Sequence, residues 1–373
     1  FNVYHVLISS MGVNFYMNRI TKISIGFLFT LIMSSEWVGL TTSSPARFEV
    51  KSLSSNIQTS DIEFHLNGYT LTPIETPWGT QYKVETEGGS SIMEAGHPDL
   101  DQTFASVIIP DNAMMNIEVI SSSYIEIENL DVVPSKGNFS RMISPSDVPF
   151  SQADIYNQNQ FYPGKLADLR DPYILRDFRG QTVVSYPFQY NPVTKVLRVY
   201  TDITVQLTSQ GEGQKNVLQR SSSVNKIDSE FNSIYQNQFI NFDNQQHDSR
   251  FDYLTDQGNM LVICYDGFMD EMQPFVDWKN RKGIPTEMVS VSSVGSNSNS
   301  IESYVANYYS ENGLTFLLLV GDVDQIPTPI ISGSSSDPSY GFISGNDSYA
   351  EVIVGRFSGS TPSHIQTQVE RSL

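Results

Sequence analysis

The sequence contains little cysteine and few basic residues. Its single cysteine among 373 residues, Cys264, excludes an intrachain disulfide and a thiolate metal cluster. Lysine and arginine number 22 against 41 acidic residues, which gives a formal net charge of −19. Because phosphate contacts require a surface of lysine and arginine, this balance argues against a nucleic-acid-binding protein. An acidic surface favours solubility and is compatible with hard cations such as calcium.

The sequence also lacks an apolar run long enough to span a bilayer. The run at 23–33 has about eleven mostly apolar residues and follows two basic residues, which is typical of a secretory signal peptide. We therefore predict a signal peptide region at 17–44, preceded by an upstream extension at 1–16. No stable membrane span is expected, and the protein is predicted to be secreted, extracellular or at a bacterial cell surface.

Residues 45–210 contain short runs of β-branched and aromatic residues separated by turn signals. Examples are the runs at 104–109, 116–120 and 124–128. The apolar positions of the last two runs alternate with polar neighbours, as in half-buried antiparallel strands; they are Ile117, Val119, Ile125 and Ile127. The pattern predicts an all-β, sandwich-like domain.

Residues 211–250 have a different composition. Glutamine, asparagine and serine dominate, and four aromatic residues are scattered among them: Phe231, Tyr235, Phe239 and Phe242. This composition predicts a linker whose aromatic residues dock on a neighbouring domain without forming a core of their own.

Residues 251–373 alternate strand and helix patterns. Strands are expected at 261–265, 287–291, 314–320 and 351–357, with helices ending near 282, over 301–309 and after 362. The run at 314–320 is almost continuously apolar, as in a central strand buried on both faces. The alternation predicts an α/β domain with a parallel sheet.

Acidic residues are the sharpest local signal for chemistry. Asp322 and Asp324 follow the strand at 314–320, at its carboxyl end, where open α/β sheets place ligand sites. Asp347 and Glu351 lie four residues apart in a turn-rich segment. Their spacing is compatible with an oxygen cage for calcium. On spacing alone, however, an ordinary acidic turn is the favoured interpretation.

No complete catalytic site is visible. Cys264 lies in the apolar run 261–265, which predicts a buried structural thiol. None of the five histidines stands in a recognisable catalytic context, and neither a nucleophile elbow nor a phosphate-binding loop occurs.

Several ordered motifs nevertheless resemble those of one family. They are Phe275-Val276-Asp277-Trp278-Lys279-Asn280, Leu318-Leu319-Val320-Gly321-Asp322, Ile326-Pro327, Ser336-Asp337, Tyr340-Gly341, Gly345-Asn346-Asp347-Ser348-Tyr349 and Val354-Gly355-Arg356-Phe357. Together they resemble the N-terminal subdomain of the catalytic domain of gingipain-like cysteine peptidases (family C25), which is caspase-like. Upstream, the segments at 96–99 and 173–181 resemble the gingipain propeptide.

The resemblance implies a secreted cysteine endopeptidase zymogen acting on protein or peptide substrates. Residues 45–210 would be the propeptide, 211–250 a linker or the C-terminal segment of the propeptide, and 251–373 a truncated N-terminal part of the catalytic domain. The propeptide would act as an intramolecular inhibitor. The family's catalytic His and Cys are expected beyond Leu373, so no catalytic residue is assigned and this fragment is predicted to be inactive.

The resemblance also implies a structural calcium ion. Matched position by position, Asp322, Asp347 and Glu351 would supply carboxylates, and Ser344 and Tyr349 would supply main-chain oxygens. With the resemblance taken into account, calcium becomes the favoured interpretation of these acidic residues.

Arg250 and Phe251 lie where the resemblance places the junction between propeptide and peptidase. Cleavage there would suit self-processing by an enzyme that prefers arginine, whereas an ordinary exposed loop is the simpler alternative.

Two other functions are alternatives to the peptidase interpretation of the sequence. One is a secreted, non-enzymatic β-sandwich binding protein or adhesin with a degenerate α/β module. The other, a nucleotide-binding α/β enzyme, is disfavoured by Asp322 at the strand end and by the lack of a glycine-rich loop.

Overall fold

The computed structural model describes residues 34–56, 58–219, 225–243, 251–254, 257–345 and 347–373. Residues 35–373 form one compact unit. The predicted extension at 1–16 and most of the predicted signal peptide region lie outside the described residues. Residues 36–39 of that region, however, form a strand that pairs with residues 68–71. A mature chain that keeps this strand must therefore begin before Glu36.

The first part of the molecule is built from antiparallel β-strands. They are β1 (Glu36–Gly39), β2 (Glu49–Ser55), β3 (Thr59–His65), β4 (Gly68–Thr76), β5 (Gly79–Glu85), β6 (Ser90–Ser91), β7 (Asp101–Ile108), β8 (Ala113–Ile127), β9 (Ala167–Leu169), β10 (Tyr173–Leu175), β11 (Phe178–Ser185), β12 (Phe188–Asn191) and β13 (Val196–Glu212). Short 3-10 turns occur at Pro145–Asp147 and Asp154–Asn157.

These strands form three sheets, ordered β1-β4-β5, β10-β11-β7-β6 with β9 on β11, and β12-β13-β3-β2 with β8 on β13. The last two share a core, because buried residues of β3 and β13 pack with buried residues of β7 and β11; examples are Ile62, Val107, Val183 and Val205. The predicted all-β sandwich is confirmed.

One long strand replaces two predicted ones. The runs at 116–120 and 124–128 belong to β8, which pairs with β13 through register shifts that mark β-bulges. Val119 and Ile125, expected to be half-buried, are 40% and 42% exposed. In the described part of the chain β8 pairs with β13 alone, so its middle is a sheet edge.

The described residues of the predicted linker contain β14 (Asn225–Ile227) and the helix α1 (Ser229–Gln238). β14 pairs in parallel with β15 (Phe251–Tyr253), which opens the second part of the molecule. The four aromatic residues of this segment are buried with Phe178, Ile227 and Phe251. They pack on neighbouring elements, Phe231 and Tyr235 from α1 itself and Phe239 and Phe242 from the residues that follow it.

The second part is an α/β domain with a parallel sheet. Its strands are β16 (Met260–Cys264), β17 (Thr286–Ser290), β18 (Phe316–Val320) and β21 (Ile353–Phe357), in the order β17-β16-β18-β21, with a small hairpin of β19 (Ile330–Ile331) and β20 (Ser334–Ser335) and 3-10 turns at Asp266–Phe268 and Asp337–Gly341. The helices are α2 (Met269–Arg281), α3 (Val291–Val294), α4 (Ser298–Asn312) and α5 (Pro362–Ser372).

Helices cover both faces of this sheet. Buried residues of α2 and α5 pack on one face, and buried residues of α4 pack on the other; examples are Met272, Ile365 and Ile301. Because both faces are covered, the central strands are apolar throughout. The fold class predicted for this region is confirmed.

Candidate functional site at the carboxyl edge of the parallel sheet

The strand order creates a topological switch point. The chain passes from β16 outward to β17 and then returns to the other side of β16 as β18. Open α/β sheets bind ligands outside the carboxyl ends of the two strands at which the order reverses. Here those ends are followed by Asp266 after β16 and by Asp322 after β18.

Asp266 ties the ends of two neighbouring strands together. Its carboxylate accepts hydrogen bonds from the hydroxyl and, at 3.3 Å, from the main-chain amide of Ser292, which follows β17. The Ser292 hydroxyl holds the pKa of Asp266 below its ordinary value. Asp266 is therefore ionised at neutral pH and adds negative charge to this edge of the sheet.

Asp322 lies where the sequence predicted it, but it faces solvent. Its Oδ1 accepts a hydrogen bond of 2.8 Å from the amide of Val323, and its main-chain carbonyl closes a turn by accepting from the amide of Gln325 at 2.9 Å. Gly321, just before it, adopts a φ of +134° that a residue with a Cβ rarely adopts. Asp324 is exposed in the same turn.

An arginine that sequence reasoning missed, with a side chain only 12% exposed, anchors the loop after β18. Arg356 of β21 donates to both carboxylate oxygens of Asp337 at 2.7 Å, and its Nη1 donates to the carbonyls of Gly321 and Ile326 at 2.9 and 3.0 Å. Burial raises the pKa of Asp337, but the hydrogen bonds and charge of Arg356 outweigh burial and the pKa lies below its ordinary value. Both residues stood in the quoted motifs, but no local pattern connected them.

Four of the predicted calcium ligands lie in the loop before β21; they are Ser344, Asp347, Tyr349 and Glu351. The fifth, Asp322, lies in the loop after β18. Glu351 is buried, and its Oε2 accepts hydrogen bonds from the amides of Ile343 and Ser344 at 2.8 and 3.0 Å. Burial raises the pKa of Glu351, the amide hydrogen bonds oppose that rise, and the charge of Asp347 adds to it. Asp347 is exposed and accepts a hydrogen bond of 2.9 Å from the amide of Tyr349.

The negative charge of Asp347 thus disfavours ionisation of Glu351. The described residues contain no group of three or more His, Cys, Asp or Glu side chains arranged to hold a metal ion. The donor chemistry of the loop, with carboxylate and main-chain oxygens, is that of a hard cation such as calcium.

Cys264 is buried at the carboxyl end of β16, as predicted. Burial, assisted by the charges of Asp266 and Glu271, raises the pKa of its thiol to about 12. A thiol with this pKa is protonated at neutral pH and is a poor nucleophile. Among the histidines, His65 pairs with Asp202 at 2.7 Å in the β-sandwich, and His247 lies outside the described residues.

Of the two residues at the predicted processing site, only Phe251 belongs to the described part of the chain. Arg250 lies outside the described residues, whereas Phe251 is the first residue of β15 and is 7% exposed. The Phe251 ring lies 4.6 Å from the ring of Phe178.

Comparison with family models explains the two-part architecture. A model of the C25 propeptide matches residues 42–248, and a model described as peptidase family C25 matches residues 253–373. The chain belongs to peptidase family C25. The two matches meet within five residues of Phe251.

Individual members of family C25 support this assignment. Gingipain R1 from Porphyromonas gingivalis is 38% identical over 319 residues, which cover 84% of this chain and 31% of gingipain R1. Gingipain R2 from the same species is 36% identical over 329 residues, covering 87% and 44%, respectively. This chain therefore spans less than half the length of these C25 relatives.

The solved structures that resemble this C25 chain include a complex of the pro- and mature domains of RgpB from Porphyromonas gingivalis. It is 35% identical, covers 52% of this chain and 97% of that chain, and has a TM-score of 0.48. Within the described residues, no helix combines the length and the apolar character needed to cross a membrane.

Proposed function

We propose that this chain belongs to the precursor of a secreted cysteine endopeptidase whose propeptide keeps it latent. The observation that carries the proposal is the order of the two family matches, propeptide first and peptidase directly after it. In the structure the two parts pack against each other within one compact unit, as an intramolecular inhibitor requires.

The chemistry proposed for the whole protein is acyl transfer. A thiolate attacks the peptide carbonyl, a histidine protonates the leaving amine, and main-chain amides stabilise the oxyanion. We assign none of these roles within this chain and place the catalytic His and Cys beyond Leu373. The high pKa and burial of Cys264 support its exclusion as the nucleophile.

A non-enzymatic adhesin is not favoured, because residues 253–373 match the peptidase family itself. We retain a signal peptide within the predicted region 17–44, with its cleavage placed ahead of the strand at 36–39, and secretion or surface exposure as parts of the proposal. Protein and peptide substrates are proposed by analogy with the cysteine endopeptidases that the relatives represent.

We further propose that a structural calcium ion binds at Asp322, Asp347 and Glu351, with main-chain oxygens of Ser344 and Tyr349. The effect of the Asp347 charge on the pKa of the buried Glu351 supports this proposal, because a cation would relieve the repulsion between the two carboxylates. Binding requires the exposed Asp322 to turn towards the other two carboxylates.

The bond between Arg250 and Phe251 is the proposed processing site. Its support is the position of both residues in the short gap between the propeptide match, which ends at 248, and the peptidase match, which begins at 253.

The proposed function is tested on the precursor that includes the sequence beyond Leu373. The precursor should cleave an arginyl or lysyl peptide substrate slowly before processing and faster afterwards, and thiol alkylation should abolish the activity. A Cys264→Ala variant should respond in the same way, because that thiol is buried and protonated. Cleavage that alkylation leaves unchanged, or no cleavage even after processing, would refute a cysteine endopeptidase.

A further inference from the structure

A strained turn lies where the two parts of the molecule meet. Leu175 of β10 pairs with Phe178 of β11, so Arg176 and Asp177 form the two-residue turn of this hairpin. Arg176 has a φ of +45°, the left-handed region that glycine adopts readily and a bulky residue only at a cost. Strain of this kind persists where the surrounding contacts hold it in place.

The Arg176 side chain points into a buried joint instead of into solvent. The side chain is 9% exposed, and its guanidinium lies 4.1 Å above the ring of Phe231 with Nη1 3.3 Å from Oδ2 of Asp228. A buried guanidinium is tolerable because a carboxylate and an aromatic face replace its water.

Asp228 connects three parts of the chain at once. Its Oδ1 caps α1 by accepting from the amide of Phe231 at 2.9 Å. Its Oδ2 accepts from the hydroxyl of Thr315 at 2.6 Å, as well as facing Arg176. Thr315 is 2% exposed and directly precedes the central strand β18 of the peptidase part.

The second residue of the turn is also engaged. The hydroxyl of Tyr235, a fully buried residue of α1, donates to Oδ2 of Asp177 at 2.6 Å. A further link across the joint runs from the amide of Gly258 to the carboxylate of Glu230, at 2.7 Å.

We propose that Asp228, oriented by Arg176 of this turn, is the polar pin that holds the propeptide on the peptidase part through Thr315, and that the pin remains engaged after cleavage at Arg250–Phe251. Arg176, Asp177, Asp228 and Glu230 precede that bond, whereas Gly258 and Thr315 follow it. None of their contacts is broken by the cut. The proposal rests on the proposed division into propeptide and peptidase.

The pin acts together with the aromatic cluster, and the two contributions differ in kind. The cluster around Phe178 and Tyr235 supplies non-directional burial. The polar contacts among Arg176, Asp228 and Thr315 are directional and depend on each partner. Loss of one partner leaves a charge buried without its neighbour. Removing the guanidinium should therefore weaken the complex by more than the loss of its buried surface area alone would.

The test uses the full chain, folded first and then cut. Residues 244–249 are replaced by the recognition sequence of a site-specific protease, and the cut protein is diluted while association of the two fragments is followed by fluorescence anisotropy. The cut parent should remain a complex. Arg176→Met should raise the dissociation constant at least tenfold.

Arg198→Met is the matched control. Arg198 also pairs with a carboxylate, Glu126 at 2.9 Å, and lies 3.7 Å from the ring of Phe161, but its contacts stay within the sandwich. This control should change the dissociation constant less than twofold. An equal effect of the two variants, or dissociation of the cut parent at nanomolar concentration, would overturn the proposal.

A further variant separates the charge of Arg176 from the shape of the turn. Arg176→Gly relieves the backbone strain but removes the guanidinium, so it should weaken the complex although it favours the turn. Binding as tight as that of the parent would show that the shape of the hairpin alone holds the propeptide.

Thr315→Val removes the hydroxyl donor from the peptidase side and leaves the propeptide sequence intact. It should also weaken the complex, even if the Arg176 variants fold poorly. A dissociation constant unchanged by Thr315→Val would contradict the pin. These measurements detect association alone, so a failure of the peptidase assay would refute the proposed activity and leave the pin standing.

Discussion

Asn216 donates a hydrogen bond of 2.9 Å from its Nδ2 to the hydroxyl of Tyr349. The same amide donates to the carbonyl of Pro172, and the main-chain carbonyl of Asn216 accepts from the buried guanidinium of Arg179. The propeptide is thereby attached to the loop that carries Asp347. The contact uses the hydroxyl of Tyr349, whereas the proposed calcium ligand is its main-chain oxygen. The two roles of Tyr349 can therefore be tested separately.

The chain as given should show no peptidase activity. We place both catalytic residues beyond Leu373, and the thiol of Cys264 is buried with a pKa near 12. The measurement is hydrolysis of arginyl and lysyl peptides by the purified chain, before and after cleavage at Arg250–Phe251. Thiol-sensitive hydrolysis by either form would contradict the assignment.

Calcium should stabilise the folded chain. An ion that binds the folded state alone contributes about 2.7 kcal/mol at a hundredfold excess over its dissociation constant. A chelator should therefore lower the melting temperature, and Asp347→Asn should remove most of the difference. If neither chelator nor added calcium moves the melting temperature, the three carboxylates belong to an ordinary acidic turn.

Tyr349→Phe should leave that calcium effect intact. The proposed ligand is the main-chain oxygen of Tyr349, whereas its hydroxyl bonds to Asn216. The substitution should lower the free energy of unfolding by about 1 kcal/mol, the usual value of one hydrogen bond. Loss of the calcium response in Tyr349→Phe would show that the site needs the propeptide contact.

Arg356→Lys should destabilise the peptidase part by about 2 kcal/mol or more. Lysine cannot reproduce the two parallel hydrogen bonds to Asp337 or reach both carbonyls at once. Urea unfolding measures the loss, and hydrogen exchange should show it first in residues 321–341. Arg281→Lys, at an exposed position at the end of α2, serves as the control and should change stability by less than 0.5 kcal/mol.

The sandwich should lose stability as the pH rises from 4 to 7. Burial raises the pKa of Asp101 to about 6, against the opposing hydrogen bond from the amide of Thr86. Because the folded pKa is above the unfolded value, the contribution is complete below about pH 4 and disappears as the pH passes 6; the full difference is about 3 kcal/mol.

Urea unfolding at several pH values tests the role of Asp101. Between pH 4 and 7 the free energy of unfolding should depend on pH differently in the parent and in Asp101→Asn, since asparagine does not titrate. Parallel curves for the two proteins would contradict the buried, protonatable carboxyl.

Limited proteolysis should cut within 214–250, as the composition of that stretch predicts, but it should spare α1. The helix buries Phe231 and Tyr235, so its backbone is inaccessible to a protease until the aromatic cluster opens. Early cleavage between 229 and 238 would contradict the docking of α1.

The sequence predicted the α/β part well because each of its signals is local. The central strand at 316–320 is apolar on both faces, and the helices keep a regular apolar spacing. The helix α1 also had a local signal that composition obscured: Asp228 stands at its N-cap, and Phe231, Tyr235 and Phe239 follow at four-residue spacing.

Other features depend on residues far apart in sequence. Ser121, Ser122 and Ser123 suggest a break between two strands, yet β8 continues through them because β13 pairs with it on both sides of the break. Arg356 and Asp337 meet through the fold, and Arg176 reaches Asp228 across 52 residues. No periodicity reveals such pairs.

The pairing of β3 with β13 has a consequence for synthesis of the chain. His65 lies opposite Asp202, 137 residues later, so the ribosome must release both strands before the sandwich can close. Pairings of such long range form slowly, whereas the α/β part builds its sheet from strands much closer in sequence. The last strand of the sandwich, β13, is therefore synthesised about 140 residues before the sheet edge at β21. The propeptide has this time to fold before the peptidase part packs against it.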